Sequence, residues 1–343
     1  MNVSSKNNAL FWAAAGVGAV FAAKMLLSQN RKISFQDKVV VVTGGSRGLG
    51  LVMARMLAEK GAKIAICARD LAELDSAKAD LEKLGAQVFA MTCDMTNKAE
   101  IKQFINAVRQ EFGQIDVLIN NAGLIQVGPL EHMTESDFDE ALKTHFWGCY
   151  HTINEVLPEM RKRRAGRIVN VASIGGKIAI PHLLPYSTSK FALVGFSEGL
   201  RAELTKDNIF VTTICPGMIR TGSPRNAFFK GQNEKEYAWF KISDSLPFLS
   251  VSAEQCAREI IEACRYGKSE HIVSLPAQIA AKFHGLFPGL TADINAIVNN
   301  LLPAPGGIGG QRARGKESKS AASESFLTAL TDNAAEQNNQ TVN

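Results

Sequence analysis

The chain has 343 residues, 46% of them hydrophobic, which is enough to bury one sizeable core with appendages. Its net charge of +5 is small and spread along the sequence, so nucleic acid is not an expected partner. The six cysteines form no C-x-x-C pair and the six histidines no H-x-x-x-H pair, which predicts buried free thiols in a reducing compartment and no metal site.

The first predicted element is an apolar segment from Ala9 to Leu27, close to the ~20 residues that span a bilayer although Lys24 interrupts it. Its hydropathy favours a membrane anchor within residues 1–34. A cleaved signal peptide, which conflicts with the free thiols, and a peripheral helix are the alternatives. Basic residues end and follow the segment: Lys24, Arg31, Lys32 and Lys38. By the positive-inside rule, the rest of the chain then faces the cytosol.

A glycine-rich loop follows the first predicted strand, Lys38–Thr43, whose β-branched apolar run is typical of a parallel strand buried on both faces. The loop reads Gly44-Gly45-Ser46-Arg47-Gly48-Leu49-Gly50 and leads into a helical pattern. This arrangement directs backbone N–H groups and a helix N-terminus toward a pyrophosphate. It predicts a dinucleotide site; the alternative is a glycine turn without a ligand.

Tyr186 and Lys190 stand four residues apart and share one face of a predicted helix. A nearby ammonium group lowers the pKa of a phenol, which is ordinarily about 10. Tyr186 is therefore a candidate proton donor or acceptor near neutral pH. Ser173 lies 13 residues before Tyr186, directly after the predicted strand Arg167–Ala172.

The T-G-x-x-x-G-x-G loop, Asn120-Asn121-Ala122-Gly123, Ser173, the Tyr186/Lys190 pair and Pro216-Gly217 follow one another within about residues 36 to 275. In this combination and order, the chain resembles the short-chain dehydrogenase/reductase family. The resemblance implies an α/β fold with a doubly wound parallel sheet in a single catalytic domain, residues 35–275. It also implies a nicotinamide-dependent oxidoreductase, in which the cofactor carries the hydride and the protein supplies orientation and the proton.

The resemblance also implies residue roles. Tyr186 would protonate the substrate oxygen during reduction, or take the proton during oxidation. Lys190 would hold the nicotinamide ribose, and the Ser173 hydroxyl would orient the reacting oxygen. The other implied cofactor-binding residues are Gly44, Ser46, Arg47, Gly48, Leu49, Gly50, Arg69, Asp94 (on adenine), Met95, Asn121, Ala122, Gly123, Pro216, Gly217, and Ile219 and Thr221 (on the carboxamide).

His145, in the segment Thr144-His145-Phe146-Trp147-Gly148, departs from the family pattern. Many members carry an asparagine there, in a segment like N-x-x-G, where it supports a proton relay. A neutral histidine can also donate and accept hydrogen bonds, so His145 is a candidate catalytic residue. The alternative is that His145 only fills the position structurally.

The end of the second predicted strand, Lys63–Cys67, bears on the choice of cofactor. NAD-dependent enzymes of this fold usually place an acid there to bind the ribose 2′-hydroxyl. In the family register Ala68 takes the place of that acid, and Arg69 follows. With Arg47 nearby, two guanidiniums suit a 2′-phosphate, so NADP(H) is the predicted cofactor. Asp70 is one residue away and would reverse this prediction if the register shifted; its alternative role is a helix N-cap.

The C-terminal third is predicted to shape the substrate side. Residues 218–250 form a predicted lid with Phe228, Phe229, Tyr237, Trp239, Phe240, Phe248 and Leu249. These rings suit a large apolar carbonyl or alcohol, such as a steroid, retinoid or long-chain ketone, or they pack the small lobe against the core. Residues 276–302 predict a helical extension broken at Pro288-Gly289, which covers the pocket, packs at a subunit interface or touches the membrane. Residues 303–343 predict a disordered tail, because they have little apolar surface to bury.

Together these features predict a membrane-anchored, NADP(H)-dependent oxidoreductase with its catalytic domain in the cytosol. Its substrate would be a small hydrophobic carbonyl/alcohol pair. The alternatives are an NAD-dependent alcohol dehydrogenase and a protein that binds NADP(H) without turnover, as a sensor or scaffold. The family resemblance also implies a homo-oligomer, often through the helix that carries Tyr186 and the helix before it.

Overall fold

The computed structural model describes residues 12 and 28–341, and residues 39–314 contain a seven-stranded sheet and two smaller sheets. The strands are β1 Val39–Thr43, β2 Lys63–Ala68, β3 Val88–Thr92, β4 Val117–Asn120, β5 Gln126–Val127, β6 Gly166–Val171, β7 Ile209–Pro216, β8 Met218–Arg220, β9 Phe228–Phe229, β10 Ser250–Ser252, β11 Glu270–Val273 and β12 Ala313–Arg314. The helices are α1 Gly48–Ala58, α2 Leu71–Lys83, α3 Lys98–Phe112, α4 Glu135–Leu142, α5 Gly148–Arg163, α6 Leu184–Leu204, α7 Asn233–Ser245, α8 Ala253–Arg265, α9 Leu275–Leu286, α10 Pro288–Asn299 and α11 Ala329–Gln337.

The main sheet has seven strands in the order β11-β7-β6-β4-β1-β2-β3, and every pairing is parallel. The strand order reverses beside β1, so the crossover helices lie on both faces of the sheet. The predicted doubly wound α/β fold is confirmed. Such sheets bind ligands at the carboxyl ends of the strands, where the order reverses.

Strand β1 shows how the sequence specifies this fold. All five of its residues are buried, and successive side chains point to opposite faces. Val40 and Val42 pack in the core under α1, α2 and α8, whereas Val39 and Val41 pack in the core under α3 and α5. A strand with two buried faces needs an unbroken apolar run, and the β-branched valines fit a pleated strand.

The six cysteines are buried free thiols, in agreement with the sequence. The predicted membrane anchor, Ala9–Leu27, lies outside the described residues apart from Trp12. Among residues 12 and 28–341, no helix is both long and apolar enough to cross a bilayer.

Residues 218–250 form a small lobe over the carboxyl edge of the sheet. Phe229 and Tyr237 are buried in a cluster of their own with Val127 and Leu183, so these two rings pack the lobe. Trp239, Phe240 and Leu249 instead line the cleft beneath it, while Phe248 is exposed. The aromatic side chains of the predicted lid therefore divide between packing the lobe and lining the cleft.

Helices α9 and α10 form a hairpin, and α10 begins at Pro288, where the sequence predicts a break. The hairpin and the residues beside it expose large apolar side chains: Leu275, Ile279, Leu286, Phe287, Leu290, Ile294, Ile297, Val298 and Leu301. One contact to the core is from the Asn295 side chain, which donates to the Ala179 carbonyl at 2.9 Å. The hairpin thus stands beside the cleft with much of its apolar surface in solvent.

The prediction of a disordered tail over residues 303–343 is not supported for the described part of that tail. Strand β12 pairs antiparallel with β9, and α11 packs on α7. Lys241 on α7 is buried; its ammonium donates to the Ser323 carbonyl at 2.7 Å and pairs with Asp332 at 2.8 Å. Composition missed this order because the tail is held by polar contacts, whereas the compositional criterion weighs apolar surface.

Candidate active site

A cleft of about 780 Å³ runs along the carboxyl ends of β1, β4, β6 and β7 and under the small lobe. It brings together nearly all the predicted site residues. Those that line it are Gly44, Ser46, Arg47, Gly48, Leu49, Arg69, Asp94, Met95, Asn121, Ala122, Gly123, His145, Ser173, Tyr186, Lys190, Pro216, Gly217, Ile219 and Thr221. Gly50 is the one predicted residue that does not line the cleft, because it packs against Gly44 and Asn121 behind the loop.

The glycine-rich loop is shaped by close backbone approaches. Gly44 has a φ of +64°, and a Cβ there would lie 2.8 Å from the Cα of Ala122. The Thr43 hydroxyl accepts the N–H groups of Asn121 and Ala122 at 3.0 and 3.1 Å. In return, the Asn121 amide donates to the Thr43 and Gly44 carbonyls, both at 3.1 Å. Asn121 therefore clamps the loop after β1 to the loop after β4.

Ser173 and Tyr186 meet at the centre of the cleft. Ser173 follows β6 and its hydroxyl accepts the Gly175 N–H at 3.0 Å, while Tyr186 lies in the first turn of α6. Burial raises the pKa of the Tyr186 phenol, and a hydrogen bond with Ser173 lowers it in part. The net pKa is above its ordinary value, so the phenol is protonated at neutral pH.

The pKa of Tyr186 is raised rather than lowered, which corrects the prediction made from the spacing of Tyr186 and Lys190. The Lys190 ammonium donates to the Val171 carbonyl at 2.9 Å, and its nitrogen lies 5.6 Å from the centroid of the Tyr186 ring. Burial lowers the pKa of Lys190 to about 8. The i, i+4 spacing places both side chains on one face, but the contact that Lys190 makes depends on the strand beside it.

His145 is buried beside Tyr186. It lies in a π-helical turn, Lys143–Trp147, between α4 and α5. Its Nε2 accepts the Leu124 N–H at 3.1 Å, so its Nδ1 carries the proton and donates to the Ser189 hydroxyl at 2.7 Å. Ser189 donates in turn to the Tyr186 carbonyl at 2.8 Å, and the His145 ring packs edge-on against Tyr186. Burial, then the nearby Lys190 charge, holds the pKa of His145 well below its ordinary value.

These contacts bear on the two interpretations of His145. Both ring nitrogens are engaged by protein groups, Nε2 by the Leu124 N–H and Nδ1 by the Ser189 hydroxyl. The structure favours His145 as the residue that orients the Tyr186 turn.

A buried polar network fixes α6, which carries Tyr186, against β6, which leads to Ser173. The Asn120 amide donates to Asn170 Oδ1 at 2.9 Å, and Asn170 donates to the Ser197 hydroxyl on α6 at 2.8 Å. The Thr152 hydroxyl on α5 closes the network by donating to Asn120 Oδ1 at 2.7 Å. A fully paired network of this kind holds the two reacting side chains in one geometry.

The adenosine end of the cleft contains the carboxylate of Glu73, which was not predicted from the sequence. Asp70 is the N-cap of α2 and accepts the Glu73 N–H at 2.9 Å, so its alternative role as a cap is observed. Glu73 is buried; it accepts from the Ser46 hydroxyl at 3.0 Å and pairs with Arg47 at 2.6 Å. Arg69 is exposed at the rim, beside Ala68.

The substrate end of the cleft is lined by apolar side chains, and polar contacts hold the lid above it. Ile180, Leu183, Trp239, Phe240 and Leu249 line it. The Trp239 indole donates to Glu236 at 2.7 Å, and the buried Glu236 carboxylate also contacts His182 Nδ1 at 2.8 Å. Since His182 lies just before α6, this triplet fixes the lid relative to the Tyr186 helix.

Three further lining residues, Arg312, Arg314 and Gln340, come from the C-terminal tail. No motif marks them, and only their order in the structure reveals them. Glu73 carried a weak signal, because it lies one turn into the helix that follows β2. Within residues 12 and 28–341, no group of three or more His, Cys, Asp or Glu side chains could hold a metal ion.

Residues 38–230 match the family model described as short chain dehydrogenase. The chain is 36% identical over 187 residues to a putative ketoacyl reductase of Streptomyces coelicolor, covering 54% of this chain and 72% of that protein. It is 37% identical over 206 residues to a 3-ketodihydrosphingosine reductase of Bacteroides thetaiotaomicron, covering 59% and 72%. It is 30% identical over 288 residues to the dehydrogenase/reductase SDR family member 7B of Danio rerio, covering 81% and 91%.

Among solved structures, an actinorhodin polyketide ketoreductase variant with NADPH superposes with a TM-score of 0.62 at 29% identity, covering 69% of this chain and 95% of that chain. A short-chain dehydrogenase from Streptomyces avermitilis superposes with a TM-score of 0.67 at 26% identity, covering 78% and 100%. The family match spans more than half of the chain, and the sheet and cleft agree with it. The chain belongs to the short-chain dehydrogenase family.

Proposed function

We propose that this protein is an NADP(H)-dependent reductase of a hydrophobic ketone or aldehyde, with Tyr186 as the general acid. The observation that supports the proposal is the contact between Tyr186 and Ser173, which lies between two differently lined parts of the cleft. One is bounded by the glycine-rich loop and the N-terminus of α1, and the other by apolar side chains of the lid.

The residues of the first space fit a dinucleotide. Gly44 and Gly48 leave a cradle that side chains would fill, and the N-terminus of α1 favours an anion. Asp94 and Met95 line the cleft at the adenosine end, and Ile219 and Thr221 line it beyond Pro216. The fold binds nicotinamide cofactors, as the NADPH complex of the related ketoreductase illustrates. When bound, the nicotinamide supplies the hydride.

The chain's own residues supply orientation and the proton. The Ser173 hydroxyl donates to the substrate oxygen and holds it against Tyr186, and the Tyr186 hydroxyl donates its proton to that oxygen as it becomes an alkoxide. Burial holds the Tyr186 pKa above its ordinary value, so the phenol is in the acid form that reduction requires.

Arg69 and Ala68 support NADP(H), because a guanidinium at the end of β2 suits a 2′-phosphate where no acid stands. The ion pair of Arg47 with Glu73 is the observation that favours NAD(H), since it engages one of the two predicted phosphate ligands. Arg69→Ala tests the choice: the Kd for NADPH should rise about ten-fold and that for NADH should stay within two-fold. Lys78→Ala, on the exposed side of α2, serves as control. An unchanged NADPH affinity would remove Arg69 from cofactor recognition.

The apolar wall formed by Leu183, Trp239 and Phe240 supports a substrate with a sizeable hydrocarbon part. The relatives named as ketoacyl and 3-ketodihydrosphingosine reductases are consistent with a keto group on a chain. Steady-state rates on a series of methyl ketones of increasing chain length test this. A rise of kcat/KM with chain length, abolished by Trp239→Ala, is expected; equal rates across the series would contradict the apolar pocket.

We also propose membrane association and a homo-oligomer. The apolar segment Ala9–Leu27 and the exposed apolar face of the α9–α10 hairpin support the first. The exposed aromatic residues Trp147, Tyr150 and Phe191, on α5 and α6 and beside them, support the second. Light scattering in detergent tests the oligomer, and a monomeric mass would contradict it.

A further inference from the structure

The last described residues of the chain lie on the glycine-rich loop. The N–H of Gly48, the first residue of α1, donates to the Asn338 carbonyl at 2.8 Å. The Asn339 side chain donates to the Ser46 carbonyl at 2.9 Å and to the Glu73 carbonyl at 3.2 Å. The tail thus occupies a backbone donor at the very helix N-terminus that suits a phosphate.

Gln340 carries the tail across the cleft. Its Oε1 and its carbonyl both accept from the Asn226 amide, at 2.7 and 3.2 Å. Its Nε2 lies 2.7 Å from the point where a Cβ on Gly48 would stand. The absence of a side chain at Gly48 is what lets a pyrophosphate approach the loop, and the Gln340 amide occupies that approach.

We propose that residues 335–341 form an autoinhibitory segment that docks on the glycine-rich loop and excludes the dinucleotide from the cleft. This rests on the proposed function, because the excluded ligand is the cofactor assigned there. Tail and pyrophosphate cannot both hold the Gly48 N–H and the space above it, so binding of one releases the other.

The docked position of the tail is weakly held, so a bound phosphate can displace it. Asn338 is 1% exposed, yet neither its side-chain nitrogen nor its side-chain oxygen has a hydrogen-bond partner, which penalises the docked position. The docking bonds on the loop join neutral groups, whereas a phosphate makes charge-assisted bonds that are roughly twice as strong. Farther back, Asp332 pairs with Lys241, and Thr331 donates to Asp244 at 3.0 Å. These contacts tether the segment close to the cleft when its end is released.

Two substitutions in the full chain should shift docking in opposite directions. Asn339→Ala removes both side-chain bonds to the loop, so the Kd for NADPH, followed by cofactor fluorescence, should fall about three- to ten-fold. Asn338→Leu removes the unpaired buried amide and keeps the backbone bond to Gly48, so the same Kd should rise by about that factor. Asn333→Ala, on the exposed side of α11, is the matched control and should leave the Kd unchanged.

A reversible disulfide tests whether the docked tail excludes the cofactor or only contacts the glycine-rich loop. The Ser76 hydroxyl donates to Asn339 Oδ1 at 3.3 Å, so the pair Ser76→Cys and Asn339→Cys places two thiols within reach. The native thiols are buried, which leaves this pair as the one to oxidise. The oxidised chain should bind NADPH at least about ten-fold more weakly than the same chain after reduction. Added NADPH should also speed amide exchange at Gln340 in the wild-type chain.

The outcomes distinguish this proposal from the one beneath it. If Asn338→Leu and Asn339→Ala bind NADPH as the wild type does, and the disulfide changes nothing, the cofactor proposal stands and the autoinhibitory segment is wrong. If a folded Asn339→Ala chain binds neither NADPH nor NADH, both proposals are wrong.

Discussion

The Tyr186 phenol and the Lys190 ammonium share a helix face, yet each is governed by its own surroundings. Tyr186 contacts Ser173, and burial raises its pKa; Lys190 is bound to the Val171 carbonyl, and burial lowers its pKa to about 8. The phenol is thus kept in its acid form, while the ammonium is held at a carbonyl beside the cleft. Reduction of a carbonyl needs both states at neutral pH.

The buried Lys190 predicts a specific pH dependence of stability. In the folded chain its pKa is about 8, whereas an unfolded lysine has a pKa of about 10.4, so between these values the unfolded chain binds more protons. Folding stability contributed by this residue therefore rises with pH across that window. Between pH 8 and pH 10, the free energy of unfolding of the wild type should therefore increase by about 2 kcal/mol relative to that of Lys190→Met. Urea unfolding of both chains at the two pH values measures it, and a constant difference would show that Lys190 is not buried as a charge.

His145 should act through position rather than through proton transfer. Asparagine can accept the Leu124 N–H and donate to Ser189, so His145→Asn should keep kcat within about three-fold of the wild type. His145→Leu leaves that buried N–H unpaired and should cost about 1–3 kcal/mol of stability. The pH–rate profile of His145→Asn should match that of the wild type between pH 5 and about pH 8, because His145 stays neutral there. A ten-fold or greater loss of kcat in His145→Asn, with stability and KM unchanged, would restore the relay.

The sequence predicted which residues meet in the cleft but not all the contacts that they make. The apolar run of β1, the glycines and the Tyr186–Lys190 spacing are local patterns, and local patterns determine strands, turns and helix faces. The direction of the Lys190 ammonium and the pairing of Arg47 with Glu73 depend on residues 19 and 26 positions away in the chain. No periodicity records such contacts.

At the level of elements, α7 joins the lid to the C-terminal tail through a buried carboxyl group. Asp244 lines the cleft and accepts from the Thr331 hydroxyl at 3.0 Å, and burial raises its pKa to about 7. The same helix carries Tyr237 into the small-lobe core and Trp239 into the cleft. The docking of the tail and the shape of the pocket are therefore coupled through one helix.

Asp244 predicts that stability falls as pH rises through its titration. The folded chain holds a proton on Asp244 up to about pH 7, whereas an unfolded aspartate releases it near pH 3.9, so the folded chain binds more protons in between. Asp244→Asn should therefore be more stable than the wild type at pH 8, by on the order of 1–3 kcal/mol, and should differ little at pH 4.5. Asp75→Asn, at an exposed position, is the control. A stability difference that does not depend on pH would contradict this account.

The elements themselves were largely predictable, with the tail as the exception. Strand and helix patterns from Lys38 to Val273 follow hydrophobic periodicity, and α10 begins at the predicted break at Pro288. The tail orders through polar groups: the buried residues Ser323, Thr328 and Thr331, and the Asn338 carbonyl, which accepts the Gly48 N–H. The residues that the tail contacts on α7 and in the glycine-rich loop are far from it in the sequence. Composition alone therefore predicted a disordered segment.

The cleft lies at the carboxyl edge of the sheet, and the exposed apolar hairpin α9–α10 lies beside it. Leu286 and Leu301 are 73% and 81% exposed, so most of each apolar side chain is available to contact a membrane or another protein surface. A substrate with a long hydrocarbon part partitions into membranes. A tethered enzyme would meet it at their surface.

Membrane association should require the N-terminal apolar segment. The full chain should sediment with membranes and resist carbonate extraction, and a chain lacking residues 1–27 should lose resistance to carbonate. Leu286→Glu with Ile297→Glu should weaken any residual sedimentation of the shortened chain, because it places charge on the exposed hairpin. Recovery of the full chain in the soluble fraction would contradict the anchor.

In the proposed mechanism, Tyr186 donates the proton in an NADPH-dependent reduction. The most direct measurement is NADPH consumption with a panel of apolar ketones and aldehydes by the wild type and Tyr186→Phe, together with the Kd for NADPH of each. We expect the phenylalanine variant to bind NADPH within about two-fold of the wild type and to lose at least about 100-fold in kcat, since it lacks only the hydroxyl. Turnover by Tyr186→Phe at the wild-type rate would contradict the claim.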